Sequence, residues 1–332
     1  MKVDLFLPRF ELEGIGQIAR RAEDLGFDAL WVGESAHNPF IALALAAAGS
    51  ERIALGTDVA VAFARSPMLT AYAAWDLQRL SRGRFLLGLG PQVRAHNERR
   101  FSVPWRPPGP RMREVVLALR AIWRCWQEGS PLAFQGRFYT FTLMTPMFDP
   151  GPIDHPRIPV YLAAVNPYML RLAGELADGV HLHPLHTVEY LRRLALPCLE
   201  EGLGRAGRER RQVEVVVPVL LALDGEGVGQ VRAQIAYYGS TPAYRTVFAA
   251  HGWEELADDL RGLASQGRWR ELEGRVPDEV VETIAVVASP QEAGRRLAER
   301  YGGLADRVAI YGLPRPLADE AFWRGLMAQV RS

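Results

Sequence analysis

Hydrophobic runs alternate with helical periodicities along most of the chain. The runs predict eight strands, at residues 3–8, 27–32, 53–63, 84–89, 158–163, 179–183, 213–221 and 306–311. Eight strand–helix units are the number that closes a parallel barrel, so we expect an α/β fold: a single TIM (β/α)8 barrel domain over residues 1–332. The clearest helical face consists of Met112, Val115, Val116, Leu119, Ile122, Trp123 and Trp126.

A doubly wound sheet is the alternative fold, but such sheets usually carry a dinucleotide-binding fingerprint. Gly88-Leu89-Gly90 follows the fourth predicted strand, and the third glycine position of the fingerprint is Val93. We expect Gly88 and Gly90 instead to let the backbone turn sharply and a ligand approach closely.

Three stretches are longer than the connections of a minimal barrel and are predicted to be insertions: residues 91–110, 129–157 and 239–283. The first two are rich in proline and glycine, and the third contains no convincing barrel strand. Long connections inside a compact domain are usually functional or independently structured. We expect these insertions at the C-terminal mouth, where barrel enzymes build their sites. Their aromatic residues predict an aromatic-lined pocket or, alternatively, packing of the insertions themselves.

The charge balance excludes some classes of function. Lys+Arg 39 against Asp+Glu 38 leaves a formal net charge of +1, which disfavours nucleic-acid binding. Lys2 is the only lysine and follows no glycine-rich loop. Schiff-base catalysis and P-loop nucleotide hydrolysis both need a lysine amine, so neither is expected.

No membrane or secretory segment is expected. The longest apolar stretch, residues 40–49, is too short to cross a bilayer, and Asp4 precedes any long apolar region. Cys125 and Cys198 are too few and too far apart for a disulfide framework or a zinc site. We therefore expect a cytoplasmic protein.

Histidines near strand ends raise the alternative of a metal-dependent hydrolase. His181 and His183 lie at the end of the sixth predicted strand, His186 lies nearby, and His37 and Asp58 are the available further ligands. Ordinary site-lining or capping histidines are the favoured interpretation, so we expect no metal.

A small-residue stretch, Ala163-Ala164-Val165-Asn166-Pro167, precedes a predicted helix. Free backbone N–H groups at such a helix start can hold a phosphate. A plain helix cap by the Asn166 side chain explains the pattern equally well.

The order of several motifs resembles the luciferase-like monooxygenase superfamily, specifically its coenzyme F420-dependent oxidoreductase branch. The resemblance covers nearly the whole chain. The motifs are AEDLGFDALWV (22–32), RIALGT (52–57), RSP (65–67), LQRLSRGRFLLGLG (77–90), RLAGELADGV (171–180) and SPQEA (289–293).

The resemblance implies a cofactor at the strand C-termini. Its phosphate would lie at Ala164, Val165 and Asn166, with Pro167 in the first helical turn. Its ring would lie over the backbone of Asp58-Val59, where relatives carry a non-proline cis peptide in a bulge of the third strand. Asp58 departs from the small or neutral residue that is common there.

Further roles follow from the same resemblance. Gln92 and His96 would border the ring or tail of the cofactor. Either Glu34 or His37 takes the place of a proton-handling residue after the second strand, although a solvated Glu34 and a capping His37 are the structural alternatives. Helices of the first half would pair two chains into a homodimer.

The resulting prediction is an oxidoreductase that transfers a hydride between coenzyme F420 and a small organic substrate. An FMN-dependent two-component monooxygenase is the nearest alternative. A flavin-binding barrel without turnover is a further one.

Overall fold

The computed structural model describes residues 1–332 and contains the predicted barrel. Each of its eight parallel strands pairs with the next, and the first pairs with the last, so the sheet is closed. The strands are β1 (Lys2–Leu7), β2 (Ala29–Val32), β3 (Ala54–Thr57, resuming at Ala60–Val61), β4 (Phe85–Gly90), β5 (Val160–Ala163), β6 (Gly179–His181), β7 (Glu214–Val219) and β8 (Arg307–Tyr311). The prediction of an α/β barrel is confirmed.

Helices surround the sheet, and local sequence sets several of their starts. The Asn38 and Ser66 side chains accept hydrogen bonds from backbone N–H groups two residues on, and a proline follows each. All seven residues of the predicted apolar face are buried. The helices packed around the barrel are Ile15–Leu25, Pro39–Gly49, Pro67–Leu80, Pro108–Glu128, Pro167–Leu176, Leu196–Arg205, Ala293–Tyr301 and Glu320–Arg331.

Side chains fill the barrel, and a larger apolar core separates the strands from the helices. Because neighbouring residues of a strand face opposite sides, every second residue points inward. A small cluster of Phe6, Ala29, Trp31, Tyr161, Val216 and Ala309 forms the apolar part of this filling. None of the helices combines the length and apolar character that a membrane crossing needs.

The first two insertions differ in their placement. Residues 91–110 follow β4 and contain the short helix Arg94–Arg99. In the second insertion, Phe134–Gln135 and Thr140–Phe141 form a hairpin. The Glu114 carboxylate, near the start of its helix, accepts hydrogen bonds from the hairpin N–H groups of residues 137–139. Residues 146–157 then run along the outside of helix Pro67–Leu80, not over the mouth.

The third insertion is larger than the sequence indicates. Its two ends are held by a parallel pairing of Leu221–Ala222 with Val286–Val287. It has its own core of 16 buried residues, to which Val231 and Ile235 already belong. The inserted unit therefore begins before residue 239. Its helices are Gly225–Gly239, Arg245–Ala249, Glu254–Ser265 and Asp278–Ile284.

Candidate active site

A bulge interrupts β3 at the mouth of the barrel. Before the interruption Leu55 pairs with Phe85, and after it Ala60 pairs with Leu89, so β3 contains one more residue than β4. Asp58 and Val59 form the bulge, which we call the β3 bulge, and the peptide bond between them is cis. This agrees with the geometry that the resemblance implies.

The bulge interrupts the backbone hydrogen bonds between β3 and β4, and the Thr57 side chain bonds to the β4 backbone in their place. Its Oγ1 donates to the Gly88 carbonyl at 2.6 Å and accepts from the Gly88 N–H at 2.9 Å. A Cβ on Gly88 would lie 1.9 Å from the Thr57 carbonyl oxygen. Gly88 is thus required by the approach of a protein backbone, which corrects the expectation that it admits a ligand.

Gly90 makes room for the other side of the bulge. A Cβ on Gly90 would lie 2.5 Å from Val59 Cγ2, so the Val59 side chain packs directly on the β4 backbone. The space next to β4 is therefore filled by Val59. The arrangement fits the expected seat for one face of a planar ring.

Asp58 points into the barrel and meets His181 from β6. The Asp58 Oδ2 and His181 Nδ1 atoms are 3.4 Å apart, with 9% and 0% of the respective side chains exposed. Neither that oxygen nor either His181 ring nitrogen has a hydrogen-bond partner. Burial, with a contribution from Asp4, raises the pKa of Asp58 to about 8, and burial with Arg307 lowers the pKa of His181 to about 3. Both side chains are therefore mainly neutral at pH 7.

A balanced charge network lies below this pair. Arg307 Nη1 donates to Asp4 Oδ1 at 2.9 Å, and Arg307 Nε donates to Glu214 Oε2 at 2.7 Å. Lys2 pairs with Glu214 at 2.7 Å, and Trp31 Nε1 donates to Asp4 Oδ2 at 2.8 Å. Burial raises the pKa of Asp4 to about 6, whereas the neighbouring Arg307 brings the pKa of Glu214 down to about 2 despite burial.

The two candidates for proton handling lie after β2 in different surroundings. Glu34 accepts from the Val61 N–H at 2.6 Å and from Arg65 Nη1 and Nη2 at 2.7 and 2.5 Å. Its carboxylate is thus bound by a two-pronged ion pair that ties the end of β2 to the end of β3. His37 is half-buried beside Phe10, with ring centroids 5.5 Å apart.

His183 belongs to an aromatic cluster that joins the third insertion to the barrel. Its ring stacks on Tyr244 at 3.8 Å and meets the edge of Tyr238 at 4.4 Å. The Leu185 N–H donates to His183 Nδ1, so the neutral ring carries its proton on Nε2. The hydroxyl groups of Tyr238 and Tyr311 are 2.6 Å apart, which links the insertion to β8.

His186 is satisfied within the protein. Its Nδ1 donates to the His183 carbonyl at 2.8 Å, and its Nε2 accepts from the Tyr301 hydroxyl at 3.0 Å. No group of three or more His, Cys, Asp or Glu side chains is placed to share a metal ion.

The start of helix Pro167–Leu176 lacks a side-chain cap. Asn166 is the residue before the helix, but its side chain accepts from Thr246 Oγ1 at 2.8 Å and donates to the Ala243 carbonyl at 3.2 Å. The cap expected as one alternative for Asn166 is therefore not formed. The first helical N–H groups after Pro167 have no intrahelical acceptor, so they fit an anionic ligand group.

The neighbouring loop atoms are partly used by the protein. The Ala164 N–H donates to the His181 carbonyl, and the Val165 carbonyl accepts from the Tyr190 hydroxyl at 2.5 Å. These bonds fix the backbone of residues 164–165 against β6 and the helix that follows it.

Gln92 and His96 flank the end of β4. Gln92 has a φ of 57°, in the left-handed region, and its Oε1 accepts from the Val93 N–H at 2.9 Å. His96 is half-buried in the short helix Arg94–Arg99. Both residues follow a strand whose C-terminal end faces the mouth.

Sequence analysis missed the ion pair of Glu34 with Arg65 and the cluster around His183. Arg65 lies in one of the motifs, but nothing in its spacing from Glu34 indicates contact. The contact arises because β2 and β3 are neighbours in the sheet.

The chain matches the luciferase-like monooxygenase family over residues 3–307. An uncharacterised protein of Mycobacterium tuberculosis is 45% identical over 314 residues, covering 90% of this chain and 92% of the relative. A 5,10-methylenetetrahydromethanopterin reductase of Archaeoglobus fulgidus is 29% identical over 306 residues, covering 89% of this chain and 88% of the relative.

Solved structures share the fold along the whole chain. The coenzyme F420-dependent tetrahydromethanopterin reductase of Methanopyrus kandleri superposes with a TM-score of 0.81 at 23% identity, covering 99% of this chain and 98% of the other. A monooxygenase component from Pseudomonas putida in complex with FMN superposes with a TM-score of 0.67 at 16% identity, covering 98% and 96%. Relatives of this fold thus include users of both cofactors. The family match extends from β1 to the first residue of β8, and on that ground the chain belongs to the luciferase-like monooxygenase family.

Proposed function

We propose that the protein is an oxidoreductase that transfers a hydride between coenzyme F420 and a small organic substrate. The observation that carries the proposal is the uncapped start of helix Pro167–Leu176, which follows β5 and leaves N–H donors open at the same end of the barrel as the β3 bulge. The likeness to the coenzyme F420-dependent reductase of Methanopyrus kandleri supports coenzyme F420, and the reductase of Archaeoglobus fulgidus is a relative with a similar name.

The chain's residues would divide the binding work. Next to Ala164, the backbone N–H groups of Val165 and Asn166 and those of the first helical residues after Pro167 would hold the cofactor phosphate. The backbone of Asp58-Val59 would contact one face of the ring. Gln92 and His96, which follow β4, would border the ring or tail. Once bound, the cofactor supplies or accepts the hydride, while the protein orients the reactants and keeps water out.

His37 is our choice for the side chain that moves the substrate proton. Its imidazole is half-buried and has no hydrogen bond or ion pair within the protein, and imidazoles relay protons near neutral pH. Glu34 would hold the β2 and β3 ends in place through Arg65 and the Val61 N–H.

We also propose a homodimer. Helices Pro39–Gly49 and Pro67–Leu80 expose Ile41, Leu45, Leu69 and Leu80, each with 45–63% of its surface accessible. Large exposed aliphatic side chains on adjacent helices are typical of an interface.

The cofactor proposal is tested by titrating the protein with coenzyme F420 and with FMN under the same conditions. We expect tighter binding of coenzyme F420. Asn166→Glu places a negative charge at the helix start and should weaken binding at least tenfold, whereas the matched Asn166→Gln should not. Tighter FMN binding would overturn the cofactor assignment, and equal binding by the two variants would place the phosphate elsewhere.

The FMN-dependent monooxygenase is the second candidate, favoured by the fold shared with the FMN complex from Pseudomonas putida. Oxygen reactivity separates the two candidates, because a reduced flavin reacts readily with oxygen and a reduced deazaflavin hardly does. A barrel that binds the cofactor without turnover would show binding but no exchange of reducing equivalents with any substrate.

A further inference from the structure

The Asp58–His181 pair is the one place inside the barrel where buried polar atoms lack partners. Asp58 Oδ2 and both ring nitrogens of His181 are buried without a hydrogen bond. Every other polar group of the barrel interior is matched, including Asp4, Glu214 and Arg307. Because unpartnered buried polar atoms are uncommon and costly, the pair calls for an explanation in function.

Counting charges around the pair shows how many protons it holds. Arg307 and Lys2 balance Asp4 and Glu214, so no counter-charge is left for Asp58 or His181. Besides the one N–H that a neutral imidazole always carries, a single dissociable proton makes the pair neutral overall, and the count that follows refers to dissociable protons. With two protons or none, an unpaired charge would be buried, which costs several kcal/mol. The pair therefore holds a single proton at neutral pH.

The surroundings decide where that proton lies. His181 is packed against Trp31 and Tyr161 and feels the positive charge of Arg307, so its imidazolium form is disfavoured. Asp58 feels Asp4 below it, so its carboxylate form is disfavoured as well. Tyr311 on β8 is the remaining titratable neighbour, and its hydroxyl is engaged with Tyr238. The proton therefore lies on Asp58, facing His181 Nδ1.

Only Asp58 gives this proton access to the mouth. The His181 side chain has no exposed surface, whereas Asp58 retains 9%. That exposed remainder lies at the β3 bulge, so a planar ring on the bulge would cover it. Covering the carboxyl group removes its last contact with water and disfavours its ionised form further.

We propose that Asp58 and His181 form a proton-binding site under the cofactor ring, and that a flavin-type ring binds when this site holds its proton. The inference rests on the proposed function, because it places the ring on the β3 bulge. Above the pKa of about 8 for free Asp58, binding requires the uptake of one proton. Affinity then falls about tenfold between pH 7 and pH 9.

The experiment measures dissociation constants of coenzyme F420 and FMN at pH 7 and pH 9 for the unaltered protein and for Asp58→Asn. Asparagine has the shape of the neutral carboxyl group but does not ionise in this range. Any titration of the ligand itself affects both proteins equally. We expect the dissociation constant of the unaltered protein, divided by that of Asp58→Asn, to rise about tenfold from pH 7 to pH 9. A constant ratio would overturn the inference.

An infrared titration of the ligand-free protein separates this inference from the proposed function. We expect the carbonyl band of a protonated carboxyl group to disappear around pH 8, and to be absent from Asp58→Asn and from the second variant, Asp58→Ser. Absence of that band from the unaltered protein at pH 7 would show that Asp58 holds no proton. A band that behaves as expected, with no binding of either ring, would instead contradict the cofactor proposal.

Discussion

At the scale of single residues, burial changes the chemistry of Asp58 more than its neighbours do. Its pKa is 3.8 in an ordinary setting and about 8 in the barrel, mainly because its carboxyl group loses contact with water. Between these two values the folded protein binds more protons than the unfolded chain. The free energy of unfolding therefore decreases as the pH rises from about 4 to about 8.

This linkage predicts that Asp58→Asn stabilises the protein at neutral pH. Asparagine removes the carboxyl proton equilibrium, so we expect a gain on the order of 2–4 kcal/mol in the free energy of unfolding at pH 7. Near pH 3 the gain should vanish, because Asp58 is then protonated in the folded chain and largely so in the unfolded chain. Denaturant unfolding at both pH values measures the difference. A variant that is less stable than the unaltered protein at pH 7 would contradict the raised pKa.

The residue scale also shows where sequence reasoning stops. Alternation along β3 and β6 is enough to predict that Asp58 and His181 face the same side of the sheet. Whether their side chains meet depends on the register of strands that are not adjacent, because β4 and β5 lie between them. The sequence contains no local signal for that register.

At the scale of elements, the motifs that identify the family contact one another at the opposite end of the barrel from the mouth. Glu23, in the first motif, accepts hydrogen bonds from the N–H groups of Glu51, Arg52 and Ile53, which precede β3. Arg84 donates to the carbonyl groups of Ser50 and Ile53 from the start of β4. These contacts hold the loops that lead into three successive strands. Residues at that end of a barrel support stability, whereas those at the mouth support catalysis.

Glu23→Gln is predicted to destabilise the protein in a pH-dependent way. Hydrogen bonds from the three N–H groups lower the pKa of Glu23 from 4.5 in spite of its burial. Its contribution is therefore present above pH 4.5 and lost as the pH falls through the lower value in the folded protein. We expect a loss of about 1–3 kcal/mol at pH 7 by denaturant unfolding. Glu51→Gln is the matched control, because that side chain is 74% exposed, and it should change stability little. Equal effects of the two substitutions would refute the role of Glu23.

The position of these motifs explains why the sequence predicts the fold better than the site. The residues that make contacts near the strand starts lie close together along the chain, within the motifs AEDLGFDALWV and RIALGT, so the sequence pattern is recognisable. The mouth is built from insertions whose contacts depend on tertiary packing. Helix Gly225–Gly239 illustrates this, because four of its 15 residues are glycines and its apolar face packs on the insertion, not on the barrel. Because glycine has a low helical propensity, the sequence does not predict this helix, and the start of the third insertion is therefore predicted too late.

At the scale of the whole molecule, the exposed aliphatic stripe on two adjacent helices carries the proposal of a homodimer. Ile41 and Leu45 lie one turn apart, and Leu69 is 63% exposed on the neighbouring helix. We expect the paired substitution Ile41→Glu with Leu69→Glu to shift the protein from two chains to one at micromolar concentration, as measured by light scattering. Leu313→Glu is the control, since that residue is also exposed but lies after β8. A mass of one chain for the unaltered protein would rule out the dimer.

The closure of the barrel by β8 has a consequence for how the chain folds during its synthesis. A ribosome produces β1 to β7 and the whole third insertion before it adds Arg307. Until then β1 and β7 have unpaired edges, and the carboxylates of Asp4 and Glu214 lack the guanidinium group that joins them. Open edges and unbalanced buried charges both favour a hydrated, incomplete sheet. We therefore expect a chain that lacks β8 to leave the edges of β1 and β7 unpaired and the side chains of Asp4 and Glu214 accessible to water.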